Sequence, residues 1–205
     1  MLEMQGVSKS IKGKPVIGNV TLCLDRGNMV CLAGPSGVGK TTLLEIAAGM
    51  IAPDRGMVRR HSHRIGCVFQ DTPLLPWASA RDNIDFFLST HMSLDKRRAA
   101  AEYWLGKTGL ADAARKKPPE MSGGMKRRLA IACSFALDPD ILLLDEPLAF
   151  LDGHWQHRLS REIADLHACG STAILLVSHQ LEPIRDIGAA IVHIDAAPVR
   201  IDPIT

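Results

Sequence analysis

The stretch Gly34-Pro35-Ser36-Gly37-Val38-Gly39-Lys40-Thr41-Thr42 fits the pattern G-x-x-x-x-G-K-[ST]. The chemistry open to these residue types at this spacing is phosphate binding. Glycines let the backbone wrap tightly, so successive amide N–H groups converge on an anion. A helix beginning near Lys40 adds the positive end of its dipole. Lys40 supplies a point charge for β- and γ-phosphates, and the Thr41 hydroxyl is a ligand for Mg²⁺. The flanks matter as much as the match. Met29-Val30-Cys31-Leu32-Ala33 reads as a buried strand, and Leu43-Leu44-Glu45-Ile46-Ala47-Ala48-Gly49 as a helix with a glycine stop. Strand, glycine-rich loop and helix together favour nucleotide binding over a chance glycine turn.

Ile141-Leu142-Leu143-Leu144 is an apolar run that ends abruptly in Asp145 and Glu146. A continuous apolar run suits a central parallel strand buried on both faces, and the C-terminal ends of such strands open onto the ligand crevice. Asp145 is therefore expected to hold Mg²⁺ through its water shell, and Glu146 to deprotonate an attacking water. Two surface acids after a strand would be the bland alternative, but it leaves their pairing with a phosphate loop unexplained. A third stretch, Met121-Ser122-Gly123-Gly124-Met125-Lys126-Arg127-Arg128, reads as a helix N-terminus. Ser122 is a good cap and the two glycines expose amide N–H groups, which makes a second anion site.

The elements that must carry these groups alternate. Strands are expected at 3–7, 16–24 and 29–33, with turn chemistry at Gly13 and at Asp25-Arg26-Gly27-Asn28. Further strands are expected at 57–59 and 64–69. The basic segment Arg59-Arg60-His61-Ser62-His63-Arg64 between them reads as a solvated hairpin tip. His61 and His63 share a face there, but no neighbouring Cys or carboxylate completes a metal set. From 79 to 110 the pattern is helical, with Ser79 and Ser93 as caps, until Lys116-Lys117-Pro118-Pro119 breaks it. A helix at 123–137 follows. Strands at 141–145, 172–178 and 191–194 then alternate with helices at 154–168 and 181–188. The class is α/β with a parallel sheet and a helical lobe inserted at about 80–138.

The chain of 205 residues can bury one substantial core. Its 46% hydrophobic and 22% charged residues are ordinary for a globular protein. A net charge of +2 argues neither for nor against nucleic acid, whose dedicated binders usually show a concentrated basic face, and no nucleic-acid partner is expected. No apolar run approaches the roughly 18–20 residues needed to span a bilayer, and Met1-Leu2-Glu3 opens without the pattern of a signal peptide. Five cysteines at 23, 31, 67, 133 and 169, without a C-x-x-C pair, point to a reducing cytoplasmic compartment.

In this order and spacing the motifs closely resemble those of the ATP-binding cassette (ABC) family, along essentially the whole chain. Residues 34–42 resemble its Walker A loop, Ile141–Asp145 with Glu146 its Walker B strand, and Ser122-Gly123-Gly124 its signature. Gln70, after Gly66-Cys67-Val68-Phe69, matches the Q-loop glutamine, which contacts Mg²⁺ and the attacking water. Asp152 matches the D-loop, and His179 the switch histidine that reads the γ-phosphate. The resemblance implies a P-loop NTPase fold in a single 1–205 domain. Its parts would be a mainly parallel core sheet, an antiparallel β subdomain and the inserted helical subdomain. It further implies an Mg-dependent ATPase that works as a head-to-tail dimer. Each ATP would lie between the Walker A loop of one protomer and the signature of the other. The partners it implies are a membrane permease, a second cassette of the same kind and, indirectly, an external solute-binding protein; the place is the cytoplasmic face of the membrane. Phe69-Gln70-Asp71-Thr72-Pro73-Leu74-Leu75-Pro76-Trp77, Asn83-Ile84 and Met125 resemble the nitrate, sulfonate and taurine importers in particular.

Three positions depart from the family pattern. Ile11 stands where an aromatic side chain usually stacks on adenine, and base stacking on an aromatic is worth roughly 1–3 kcal/mol in nucleic-acid binders. Phe150 replaces a small residue of the D-loop, and Cys133 an arginine after the signature. The alternative is a cytosolic ATPase of the same family. Repair members carry long coiled-coil insertions and translation members two cassettes, which leaves a cluster-assembly scaffold. A GTPase lacks its N-K-x-D motif here. A regulatory cassette without activity is disfavoured by Lys40, Asp145, Glu146 and His179 together. The chain is also expected to carry no regulatory domain after the cassette.

Overall fold

The computed structural model describes residues 1–70, 73–179 and 182–201. Two sheets share its core. In the first, β1 (Leu2–Ile11) lies between β2 (Lys14–Leu24) and β4 (Arg55–Arg60), all antiparallel. Lys12 and Gly13 take positive φ values of 49° and 77°, the conformation of a two-residue turn that matches strand twist. In the second sheet the order is β5 (Ile65–Val68), β6 (Ile141–Asp145), β7 (Ala173–Val177), β3 (Met29–Ala33) and β8 (Ala190–His193), and every pair is parallel. Strands β3, β6 and β7 are buried along their whole length. That accounts for the unbroken apolar runs in their sequences, since helices or a second sheet cover both faces.

Three apolar clusters follow from this layering. One lies between the two sheets and includes α1 (Lys40–Ala48) through Leu43, Leu44 and Ile46. A second covers the other face of the parallel sheet with α4 (Gly123–Ala136) and α5 (Gly153–Ala168). The third gathers α2 (Ala80–Leu88), α3 (Leu94–Lys107) and the opposite side of α4. Helix α4 thus serves two cores: Ala130, Ile131 and Phe135 face the sheet, while Leu129, Ala132 and Cys133 face α2 and α3. A helix apolar on both sides has to be buried, and α4 is the wall between the sheet and the helices that precede it. Each fully buried Leu or Ile contributes roughly 1.5–3 kcal/mol. Cys133 sits inside this wall, where burial pushes its thiol well above the ordinary range. All five cysteines are free.

The structure differs from the sequence expectation in three places. Residues 59–64 do not form a hairpin tip, because β4 pairs with β1 in one sheet and β5 with β6 in the other. The segment is a crossover, and its charges are used. Arg60 donates to the carbonyls of Ala47 and Ile46 at 2.6 Å each, at the end of α1. Arg64 pairs with Asp138 and Asp140, and His61 lies 3.1 Å from Glu3. Second, Ser79 closes a full capping box on α2, but Ser93 precedes α3 without a side-chain cap bond. Third, the helix expected at 181–188 is the short α6 (Glu182–Arg185); Leu181 lies outside the described residues, as do Asp71 and Thr72 of the importer-like stretch.

Candidate functional site

The loop that leaves β3 is shaped by its glycines. Gly34 has φ 147°, and a Cβ there would lie 2.1 Å from the carbonyl oxygen of Ile194. Gly39, at φ 114°, caps α1; a Cβ there would lie 2.6 Å from Val16 of β2. No other residue type fits either position without moving backbone or core. Lys40 is 6% exposed and its Nζ donates to the carbonyls of Gly34 (2.8 Å) and Pro35 (2.7 Å). The lysine therefore lies back over its own loop. Ile11 is 39% exposed beside the β1–β2 turn, on the same hairpin whose Val16 abuts Gly39.

The two carboxylates stand at the end of β6. The Thr41 hydroxyl donates to Asp145 Oδ2 at 2.9 Å, so the first turn of α1 is tied to β6. Asp145 is 2% exposed. Burial raises its pKa, and the negative charge of Glu146 adds to the rise, against the Thr41 hydrogen bond and the charges of Arg127 and Lys40. Glu146 has left the strand conformation, with φ 47°, and its N–H donates to the Val177 carbonyl at the end of β7. His179, two residues beyond β7, places Nδ1 2.9 Å from Glu146 Oε2. Four of the residues singled out by type, Thr41, Asp145, Glu146 and His179, are thus joined by hydrogen bonds or adjacency.

Gln70 is brought to the same place less directly. It is exposed just past β5 and borders a cleft of about 830 Å³ together with Ser36, Gly123, Glu146 and His179. Phe150, 80% exposed at φ 63°, lines this cleft too. Ser122 caps α4, accepting from the N–H of Met125 at 3.3 Å. Asp152 caps α5, accepting from the N–H of Trp155 at 3.0 Å. Within one chain, neither cap touches the loop at 34–42 through any described bond.

Sequence reasoning missed Arg127. It lies in the basic run after the signature glycines, a pattern that ordinarily marks a solvated helix face. Instead it is 8% exposed. One nitrogen donates to the Phe69 carbonyl (2.5 Å), and the other to the carbonyls of Asp145 and Glu146, the latter at 2.6 Å. Burial lowers its pKa, against the pull of the Asp145 and Glu146 charges. The one available signal was position: five residues after the cap Ser122 and two before Leu129, where the unbroken apolar run of the helix begins.

A parallel sheet, a glycine loop feeding a helix N-terminus and a strand-end carboxylate bonded to the loop's threonine define a P-loop nucleotide hydrolase. A glycine cradle that a Cβ would fill suits a phosphate chain, and a hydroxyl beside a carboxylate is a hard oxygen pair of the kind Mg²⁺ prefers. The comparisons narrow the class. Residues 17–149 match the family model described as "ABC transporter", and the chain belongs to that family. It is 35% identical over 209 residues to the aliphatic sulfonates import ATP-binding protein SsuB 2 of Burkholderia lata, covering 98% of this chain and 76% of that one. It is likewise 35% identical to the taurine import ATP-binding protein TauB of Yersinia pestis, covering 89% and 74%. Among solved structures, the dimeric bacterial ABC transporter cassette MJ0796 superposes with a TM-score of 0.89 at 28% identity, covering 98% of this chain and 97% of that one. Its post-hydrolysis form with ADP and Pi gives 0.86, covering 96% and 97%. The chain is an ATP-hydrolysing cassette of the import kind. No helix among the described residues is long and apolar enough to cross a membrane.

Proposed function

We propose that the chain is one half of a head-to-tail cassette pair that couples ATP hydrolysis to uptake through a separate permease, at the cytoplasmic face of the membrane. A second copy of the chain completes each site, and an external solute-binding protein delivers cargo to the permease. The observation that carries the dimer is a mismatch within one chain. Gly34 and Gly39 are crowded by their own protein and Gly37 holds φ 81°, whereas a Cβ on Gly123 would meet nothing within 4 Å and one on Gly124 only the Phe150 carbonyl at 3.5 Å and the Leu151 side chain at 3.9 Å, both at ordinary contact distance. Nothing among the described residues demands glycine at the start of α4. A phosphate approaching from outside would, because N-terminal amides have to come close to it.

Each residue then has a part. The loop of Gly34, Pro35, Ser36, Gly37, Val38 and Gly39 holds the phosphates through the N–H groups of its residues other than Pro35, which has none and shapes the turn, with Lys40 and Thr42, and Ile11 packs the base with aliphatic surface. Thr41, Asp145 and Gln70 would hold Mg²⁺, which would neutralise charge developing on the phosphates. Glu146 accepts the proton of the attacking water, and His179 orients the Glu146 carboxylate while facing the γ-phosphate. The partner's signature, from Ser122 to Gly124, covers the phosphates, while Asp152 holds the loop between the two sites. Two experiments test the proposal. Glu146→Gln should cut turnover by at least ~100-fold while fluorescent ATP-analogue binding persists; unchanged turnover removes the base. Affinity capture from gently solubilised native membranes should recover a polytopic permease. Recovery with cytosolic partners alone would remove the transport role.

A further inference from the structure

Glu146 adopts a backbone conformation that is unfavourable for a residue with a side chain, φ 47°. Such conformations persist where the surroundings over-determine them. On its N-terminal side the residue is held by the Val177 carbonyl at 3.0 Å. Arg127 holds it from both peptide units, donating to the Glu146 carbonyl on its C-terminal side at 2.6 Å and to the Asp145 carbonyl that precedes it. The same guanidinium donates to the carbonyl of Phe69, the residue before Gln70. Two loops 76 residues apart in sequence, Gln70 and Glu146, are thus fixed relative to each other by one side chain. That side chain belongs to neither.

We propose that Arg127 is a positioning residue for hydrolysis, clamping the backbone behind Gln70 and Glu146 so that both side chains enter the cleft in register. This rests on the roles given above to those two residues. Placing a guanidinium at a nearly buried helix position costs desolvation that an apolar side chain would avoid. All its described acceptors are carbonyls of the two loops that carry reacting groups. Packing alone gives no reason for a fork here; a planar fork with five donors is what can reach both loops at once. Arg127 also stands on α4, the helix whose N-terminus is Ser122, so the clamp joins the signature helix rigidly to the chain's own carboxylates.

The test uses the purified full chain. Arg127→Met keeps the length and apolar stem but removes every donor. The expected result is a fall in kcat of about tenfold or more, with KM for ATP and the affinity for a fluorescent ATP analogue within about twofold of wild type. Wild-type kcat would overturn the proposal. So would a loss of nucleotide affinity parallel to that of kcat, which would mark Arg127 as general packing. If Arg127→Met does not fold, Arg127→Lys serves. It keeps the charge but has one head group that cannot span both loops, so the same kcat loss at unchanged KM is expected, and wild-type kcat overturns the clamp. Arg127→Ala should regain part of its kcat with added methylguanidinium, a response that a merely destabilised variant would not give. The two readings fail separately. An active Glu146→Gln removes the base, whereas a fully active Arg127→Met beside an inactive Glu146→Gln removes only the clamp.

Discussion

The chain has two glycine-bearing helix N-termini, and they differ in how much of their own protein surrounds them. At α1 the site is finished from within. Gly34 lies against Ile194, Gly39 lies against Val16 and Val199, Lys40 is folded over its loop, and Thr41 is bonded to Asp145. At α4 the start of the helix is bare: Ser122 and Gly123 are exposed, and Gly123 has open space where a side chain would go. Glycine is thus demanded by two different agents. At α1 the agent is the fold, and the need would exist without any ligand. At α4 the described residues impose no such need, and on the proposed function it comes from a second copy of the chain.

The largest expected effect breaks the first half of this comparison. Gly34→Ala drives a methyl group into a backbone oxygen and imposes a strained φ on a residue with a Cβ. It should cost more than about 3 kcal/mol of stability and abolish nucleotide binding, as read by chemical unfolding and analogue titration. A stable Gly34→Ala would mean that the β3–α1 loop and the β8 end can separate freely. Next comes Gly123→Ala. Here the helix should be no less stable, since alanine is the better helix former by roughly 0.8–1 kcal/mol. Turnover should nevertheless fall about tenfold or more, because the added methyl group keeps the phosphates from closing on the N-terminal N–H donors. Loss of turnover without loss of stability is the signature of a requirement imposed by a second chain; full turnover would remove the argument for glycine from outside. A smaller effect is expected for Ser122→Ala, which deletes the cap bond to the Met125 N–H. About 1 kcal/mol of stability and a several-fold loss of turnover are the expected readings.

Much of this was legible in sequence because it is local. The loop at 34–42, the strand 141–145 with its carboxylates and the cap at Ser122 are each contiguous, and their chemistry depends on neighbours in the chain. The parallel sheet was legible because strands buried on both faces read as unbroken apolar runs. Segment 59–64 was misread because pairing is not local. Nothing in Arg59-Arg60-His61-Ser62-His63-Arg64 says that the strands on either side join different sheets, or that Arg60 ends on the carbonyls of α1. Arg127 was missed for the same reason, its acceptors lying 58, 18 and 19 residues away.

The smallest expected effect on turnover comes from the opposite end of the sheet. Asp140, immediately before β6, accepts from Arg64 and from the Ser62 hydroxyl at 2.8 Å, with Arg26 at 3.3 Å. The hydrogen bond from Arg64 is the main cause that holds its carboxyl below the usual range, partly offset by burial. A carboxylate whose folded pKa lies below its unfolded value of about 3.9 stabilises the fold above that value. The contribution is lost as pH falls through the folded pKa. Arg64→Ala should therefore lower stability at pH 7, and the gap from wild type should close as acid is added below about pH 4. Unfolding curves recorded at several pH values read this directly. Turnover at neutral pH should match wild type, because neither helix N-terminus is touched. If Arg64→Ala instead lowers turnover at neutral pH, the far end of β6 controls where Asp145 stands, and the α1 site is not finished by its immediate neighbours alone.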